Sequence, residues 1–286
     1  MREISTTSMP MPTIMRDFHL STRDGRSHLV CTPLLVFGVI VATSTRSQQE
    51  HAAREGPLQG ESRADGRRRL EHMFAPFLSA VGLAHRPLIT LRQRHTNRCL
   101  VFDPSEGALW SESPPIGDAV VTRSSEVVLG IQTADCAPIF IFDPRTRARA
   151  AVHAGWRGTL GRIVERALAA MVAHFGTRAE DCYAAIGPTI GPCCYEVGPD
   201  VLEPFRREFP YAEAVIVAPT ASGRARLDLV QANIHQLLAC GLSRARIFTS
   251  GLCTACHPQL FFSYRRDAKT TDRTGRMLSV IGESSS

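Results

Sequence analysis

Leu160, Ile163, Val164, Ala167, Leu168, Met171, Val172 and Phe175 recur at intervals of three and four. That spacing predicts one helix with a single buried stripe, opened by Thr159 as N-cap and stopped by Gly176. Leu70, Met73, Phe74, Phe77, Leu78 and Val81 predict a second, which ends at Gly82 and which Pro76 should kink or split. A third is predicted around Leu229, Val230, Ile234, Leu237 and Leu238, ending at Gly241. Strand-like runs lie at 87–95 ("PLITLRQRH"), 119–122 ("AVVT") and 127–136 ("VVLGIQTADC"). The apolar stretch 29–42 holds Pro33 and Gly38, is too short to span a bilayer, and reads as buried strand. Residues 1–16 read as a loose terminus and 43–67 as a flexible surface segment. Strands and helices mix without βαβ alternation, so the expected fold is an α+β sandwich rather than a doubly wound sheet.

The run from Thr133 to Gly158 contains a predicted hairpin. Ile139 to Phe142 and "ARAAVHA" flank "DPRT", which has turn chemistry. With Pro144 and Arg145 as the two loop residues, Cys136 lies directly opposite His153, near enough for a thiolate and an imidazole to share one metal ion.

At 286 residues the chain can bury a sizeable core. It is expected to form a single domain over 1–286. Its nine cysteines, an odd number scattered through a large chain, predict reduced thiols and a cytoplasmic location rather than a disulfide scaffold. The net charge of +6 and pI near 9.0 suit either an anionic small substrate or a plain solvated basic surface. No nucleic-acid signature and no membrane span are read, and the chain is expected to be a monomer.

"VHAGWRG" joins His153 to two glycines and to Arg157 near a helix N-terminus, where an anion can sit, although a glycine turn with a packed Trp156 gives the same residues. His95 in "QRH" is a third candidate ligand. Two histidines and one cysteine leave an open position on tetrahedral zinc, the arrangement of a catalytic site. Asp135 either orients a ligand, handles a proton or caps the turn. "CTACH" at 253–257 matches the haem-attachment pattern but reads as incidental, and the adjacent Cys193 and Cys194 read as lining or core residues, poorly placed to bridge each other. Arg265 and Arg266 in "FFSYRRD" either hold a phosphate or face water.

Together "QRH" (93–95), "DAVVT" (118–122), "TADCAPIFIFDP" (133–144), "AVHAGWRGT" (151–159), "AAIGPTIGPCCYEVG" (184–198), "CT" (253–254), "FFSYRRD" (261–267) and "TGR" (274–276) resemble the YfiH-like, or laccase-domain, family. Its members are also called multicopper polyphenol oxidases and peptidoglycan editing factors. The resemblance implies a mixed-sheet α-β sandwich similar to YfiH and to the catalytic domain of cytotoxic necrotizing factor. It implies a metal, zinc before copper, on His95, Cys136 and His153. Catalytic roles fall on Cys136, His153 and Asp135, and substrate or phosphate contacts on Arg157, Arg265 and Gln93.

The motif-bearing core spans 67–283, and the portion 1–66 departs from the pattern. "STRDGRS" matches only loosely, no Asn-Leu pair is present, and Gly66-Arg67 stands where Asn-Arg is expected.

Three chemistries are associated with the family: phenol oxidation, purine nucleoside cleavage with adenosine deamination, and removal of a wrong amino acid from a nucleotide-linked muramyl precursor of peptidoglycan. The chain has no His-x-His pairs, which puts oxidation last. The reading adopted is a zinc-dependent purine nucleoside enzyme acting on adenosine, inosine or methylthioadenosine, with amidase editing as the alternative. A cysteine hydrolase using Cys136 and His153, and a non-catalytic metal-binding protein, are the other classes.

Overall fold

The apolar runs in the middle of the chain become strands buried on both faces. The computed structural model describes residues 17–23, 25–46, 63–107, 110, 113–268 and 274–284. In chain order its strands are β1 (Phe18–Arg23), β2 (Arg26–Cys31), β3 (Val39–Ser44), β4 (Leu88–Ile89), β5 (Cys99–Val101), β6 (Ala119–Thr122), β7 (Val128–Thr133) and β8 (Ala137–Phe142). They continue with β9 (Arg149–Ala154), β10 (Tyr183–Ile186), β11 (Glu196–Val197), β12 (Ile216–Val217), β13 (Ala225–Leu227), β14 (Ile247–Thr249) and β15 (Met277–Glu283). One sheet runs β1-β2-β3-β15-β7-β4, a second β14-β10-β8-β9-β6-β5, and a small third β11-β13-β12.

The helices are α1 (Arg63–Ala80), α2 (Trp156–Leu160), α3 (Ile163–Phe175), α4 (Pro199–Glu208), α5 (Ala212–Val215), α6 (Leu229–Ala239) and α7 (Tyr264–Asp267). Phe140, Phe142 and Ala151 of the second sheet meet Val41, Leu129, Ile131 and Ile281 of the first, forming the core between the sheets. Their neighbours Ile139, Ile141, Ala150 and Val152 point the other way, onto Val164, Leu168 and Met171 of α3 and Ile234 and Leu237 of α6. On the outer side of the first sheet, Phe74, Phe77 and Leu78 of α1 cover Ala42, Val128 and Val280. The expected α+β sandwich is therefore built with helices outside two face-packed sheets.

Several boundaries differ from the sequence pattern. Pro76 does not split α1, which runs through it as one element. Burial of Phe74, Phe77 and Leu78, at about 1.5–3 kcal/mol each, outweighs the roughly 3 kcal/mol that an interior proline costs. The 160–175 helix breaks at Gly161 and Arg162, where Arg162 is left-handed (φ 58°), and α3 begins at Ile163. Thr159 is not its N-cap; buried inside α2, it accepts hydrogen bonds from Asn233 and Gln236 of α6.

Stretch 29–42 is not one strand but β2, a 3-10 turn over Thr32–Phe37 closed by left-handed Gly38, and β3. Of 87–95, only Leu88 and Ile89 join a sheet, with an isolated bridge at Arg92. Thr43 and Ser44 belong to β3 and 63–67 to α1 rather than to a flexible segment. The terminus 1–16 and the remaining stretch 47–62 lie outside the described residues. Among those described, no helix is long and apolar enough to cross a membrane.

Candidate metal centre and adjoining cleft

Pro138, not Cys136, pairs directly with His153. Asp143 sets this register: its carboxylate accepts the backbone N–H groups of Arg145 and Thr146 and the Thr146 hydroxyl, and its own N–H reaches the Ala148 carbonyl at 2.9 Å. The loop thus takes in 144–147, with Arg147 left-handed (φ 62°), instead of two residues. The difference is two positions, and strand side chains alternate with a period of two, so Cys136 still lies on the face of His153, diagonally across from it.

His95 comes from the segment after β4 and is left-handed (φ 56°). Asp118, fully buried, holds it there. Its carboxylate accepts the backbone N–H groups of Arg94, His95 and Thr96 at 2.7–3.2 Å and the Thr96 hydroxyl at 2.6 Å. The same carboxylate lies 2.8 Å from Nδ1 of His153, which leaves Nε2 of that ring for another partner. The donor atoms of His95, Cys136 and His153 consequently lie within 4.8 Å of one another.

Cys136 Sγ is 3.7 Å from His95 Nε2. Tetrahedral zinc with ordinary bond lengths would hold a sulfur and a nitrogen roughly 3.5 Å apart, so this donor set fits such an ion. Gly155 makes the approach possible, because a Cβ there would lie 2.8 Å from Cys136 Sγ and 3.1 Å from His95 Cδ2. His95 is exposed and His153 buried, so the group opens to solvent on one side.

Burial alone would raise the Asp118 carboxyl, but the bonds from His153 and Thr96 take it down to about 2. Burial likewise opposes ionisation of Cys136. The charge of His153 and hydrogen bonds from His153 and His95 outweigh it and hold the thiol below its ordinary value. His153 is pushed up against its own burial by the Cys136 thiolate and by Asp118. Both shifts act in the direction of a thiolate on Cys136 and an imidazolium on His153 when no metal ion is bound.

The other sequence candidates separate into two groups. Arg157 and Arg265 line one cleft of about 370 Å³ together with Trp156, Tyr195, Glu196 and Arg224. The Arg157 guanidinium stacks on Trp156 at 4.2 Å, and Arg265 on Tyr195 at 5.1 Å while donating to the Glu196 carbonyl. Gln93 is not among the cleft residues: both ends of its amide bond the backbone of Gln132, at 2.7 and 2.9 Å. Asp135 is left-handed (φ 97°), and its two carboxylate oxygens accept the Thr254 hydroxyl and the Arg265 backbone N–H.

Two relationships go beyond the sequence reading: the role of Asp118, and the meeting of Cys193 and Cys194 with the two cysteines of "CTACH". Asp118 was visible only as an acid opening the apolar run "DAVVT"; opposite His153 in the β6–β9 pairing, its carbonyl also accepts the His153 N–H at 2.7 Å. The sulfurs of Cys193, Cys194, Cys253 and Cys256 form a second close group.

Comparison with solved structures places this fold beside YfiH of Bacillus licheniformis, with a TM-score of 0.79 and 24% identity over 94% of this chain and 99% of that one. YlmD of Geobacillus stearothermophilus aligns with a TM-score of 0.76 and 31% identity over 92% of this chain and 98% of that one. Among curated sequences, a purine nucleoside phosphorylase of Deinococcus radiodurans is 37% identical over 84% of this chain and 88% of its own. The purine nucleoside phosphorylase YlmD of G. stearothermophilus is 41% identical over 58% of this chain; the match spans 59% of that relative. Adenosine deaminase RL5, from an unknown prokaryote, is 37% identical over 65% of this chain and 72% of its own. The family model described as "Multi-copper polyphenol oxidoreductase laccase" matches residues 44–284. On that match the chain belongs to the multi-copper polyphenol oxidoreductase laccase family, the YfiH-like group whose motifs surround His95, Cys136 and His153.

Proposed function

We propose that the chain is a zinc-dependent purine nucleoside enzyme, cleaving adenosine, inosine or methylthioadenosine with phosphate and also deaminating adenosine. The observation that carries this reading is the convergence of His95, Cys136 and His153 within 4.8 Å, with His153 four residues before Arg157, which lines one cleft with Arg265. The names of relatives that act on purine nucleosides supply the substrate class. When bound, zinc supplies Lewis acidity, the means by which such sites activate water near neutral pH.

The chain's own residues do the rest. Asp118 fixes the His153 tautomer and turns its Nε2 toward Cys136. Arg157 and Arg265 bind and orient phosphate, and Trp156 and Tyr195 offer ring faces to the purine. In phosphorolysis a phosphate oxygen bonds the ribose C1′ as the bond to the purine nitrogen breaks; the electron pair leaves with the base, which takes a proton from solvent. In deamination water adds at C6 and ammonia departs. Asp135, with both oxygens engaged, acts as a positioning residue for Cys136.

The lowered Cys136 thiol and raised His153 imidazole favour a second reading, a cysteine amide hydrolase acting on a nucleotide-linked muramyl amino acid. There Cys136 attacks the carbonyl, His153 gives its proton to the leaving amine, and water releases the acid. The deciding experiment is metal analysis of the purified protein followed by incubation with adenosine, inosine plus phosphate, methylthioadenosine, and the muramyl substrate. Turnover of the last alone would reject the nucleoside reading.

A further inference from the structure

β10 and β14 are parallel neighbours, so the loops that follow them leave the same end of the second sheet. The pairing extends past the strands through a bridge between Thr189 and Cys253. This brings Cys193 and Cys194 of the first loop against Cys253 and Cys256 of the second. Cys256 Sγ lies 3.5 Å from that of Cys193 and 3.4 Å from that of Cys194, and all four sulfurs lie within 4.8 Å of one another.

These distances discriminate between the alternatives. A disulfide needs sulfurs about 2.0 Å apart. Four thiolates on one tetrahedral zinc, with bonds of about 2.3 Å, have their sulfurs roughly 3.8 Å apart. The surroundings are also built for close approach. A Cβ on Gly191 would lie 3.3 Å from Cys193 Sγ, and the Gly191 N–H donates to Cys253 Sγ at 3.3 Å. His257 is turned away from the group, with its Nδ1 on the Cys253 carbonyl at 2.8 Å.

We infer that Cys193, Cys194, Cys253 and Cys256 bind a second metal ion, a four-thiolate zinc that staples the loops after β10 and β14. The stapled loops are the ones that grip the residue before Cys136. Thr189 and Ile190 bond the Asp135 carbonyl from the first, and Thr254 bonds its carboxylate from the second. The ion is structural: with four protein ligands it has no open position.

The test uses the full chain purified under reducing conditions without chelator. Elemental analysis should find two zinc ions per chain, one remaining in the His95→Ala, His153→Ala variant and one in the Cys193→Ser, Cys256→Ser variant. If only this second inference holds, the wild type carries one zinc, the histidine variant keeps it and the cysteine variant loses it; that result sinks the zinc reading of the first site alone. Zinc in the cysteine variant equal to the wild type, with none in the histidine variant, overturns the inference.

Should the cysteine variant fail to fold, cobalt(II) exchanged into the histidine variant decides the matter. Intense thiolate-to-cobalt charge transfer with tetrahedral ligand-field bands supports the four-thiolate site, and their absence overturns it. Alkylation of denatured wild type from a separate preparation made without reductant or chelator, missing two of these four thiols, would identify a disulfide and overturn it equally.

Discussion

Asp118 holds His153 at two points, accepting its backbone N–H at 2.7 Å through the carbonyl and contacting its Nδ1 at 2.8 Å through the carboxylate. The same carboxylate gathers the turn that presents His95, so one buried acid orients two of the three donors. Asp118→Asn should therefore weaken zinc binding by about 10–100-fold while leaving all three donors in place. Competition with a graded series of chelators would measure this, and unchanged affinity would remove Asp118 from the site.

Acid stability tests the same residue. The Asp118 carboxyl titrates at about 2 in the folded chain against an ordinary 3.8. A depressed value stabilises the fold above the ordinary value and ceases to do so as pH falls through the folded one. The contribution, on the order of 2 kcal/mol, should be fully present at neutral pH and disappear between about pH 4 and pH 2. Urea midpoints along a pH series should show this slope in the wild type, and a shallower one in Asp118→Asn.

Alkylation separates the two chemistries. A zinc-bound Cys136 should react slowly with iodoacetamide until a chelator frees it, and then quickly, because His153 and His95 hold it as thiolate. Peptide mass mapping, run beside activity and zinc assays, reads the outcome. Rapid labelling of a metal-free, fully active protein would favour the cysteine hydrolase.

The cleft predicts a split between two activities. Arg157→Ala or Arg265→Ala should raise the KM for phosphate by about 10–100-fold, the equivalent of one or two charged hydrogen bonds, and change adenosine deamination much less. The Arg265 bond to Asp135 comes from its backbone N–H and survives the substitution. Equal loss of both activities would show the arginines to be structural.

A structural control lies at the opposite end of β9 from His153. Arg149 is fully buried and donates to Glu283 at 2.7 Å. Glu283→Gln should cost about 3–5 kcal/mol, measured by denaturant unfolding, because it strands a buried guanidinium. An apolar pair at both positions should recover most of that loss.

What the sequence revealed follows from which interactions are local. The stripe from Ile163 to Phe175 reports a one-sided helix because burial repeats along it. The hairpin register lies two positions from the one a count of turn residues predicts, since the Asp143 carboxylate draws Arg145 and Thr146 into the loop and Arg147 turns left-handed after them. The shared face of Cys136 and His153 survived because the error was even. Asp118 and the four clustered thiols were missed for another reason: their meaning lies in pairing across β6–β9 and in the adjacency of β10 and β14, which no local pattern encodes.

The brace on Asp135 also orders assembly in time. His95, Cys136 and His153 are all synthesised by residue 153 of 286, but Thr254 and Arg265, which grip Asp135, follow it by 119 and 130 residues. β15, the last strand, inserts between β3 and β7 in the middle of its sheet rather than at an edge. Contacts this distant in sequence form late. A nascent chain exposed as far as His153 thus carries all three donors and Asp118 but not the Thr254 and Arg265 brace beside Cys136, and the centre is complete only once the segment through Arg265 has been made.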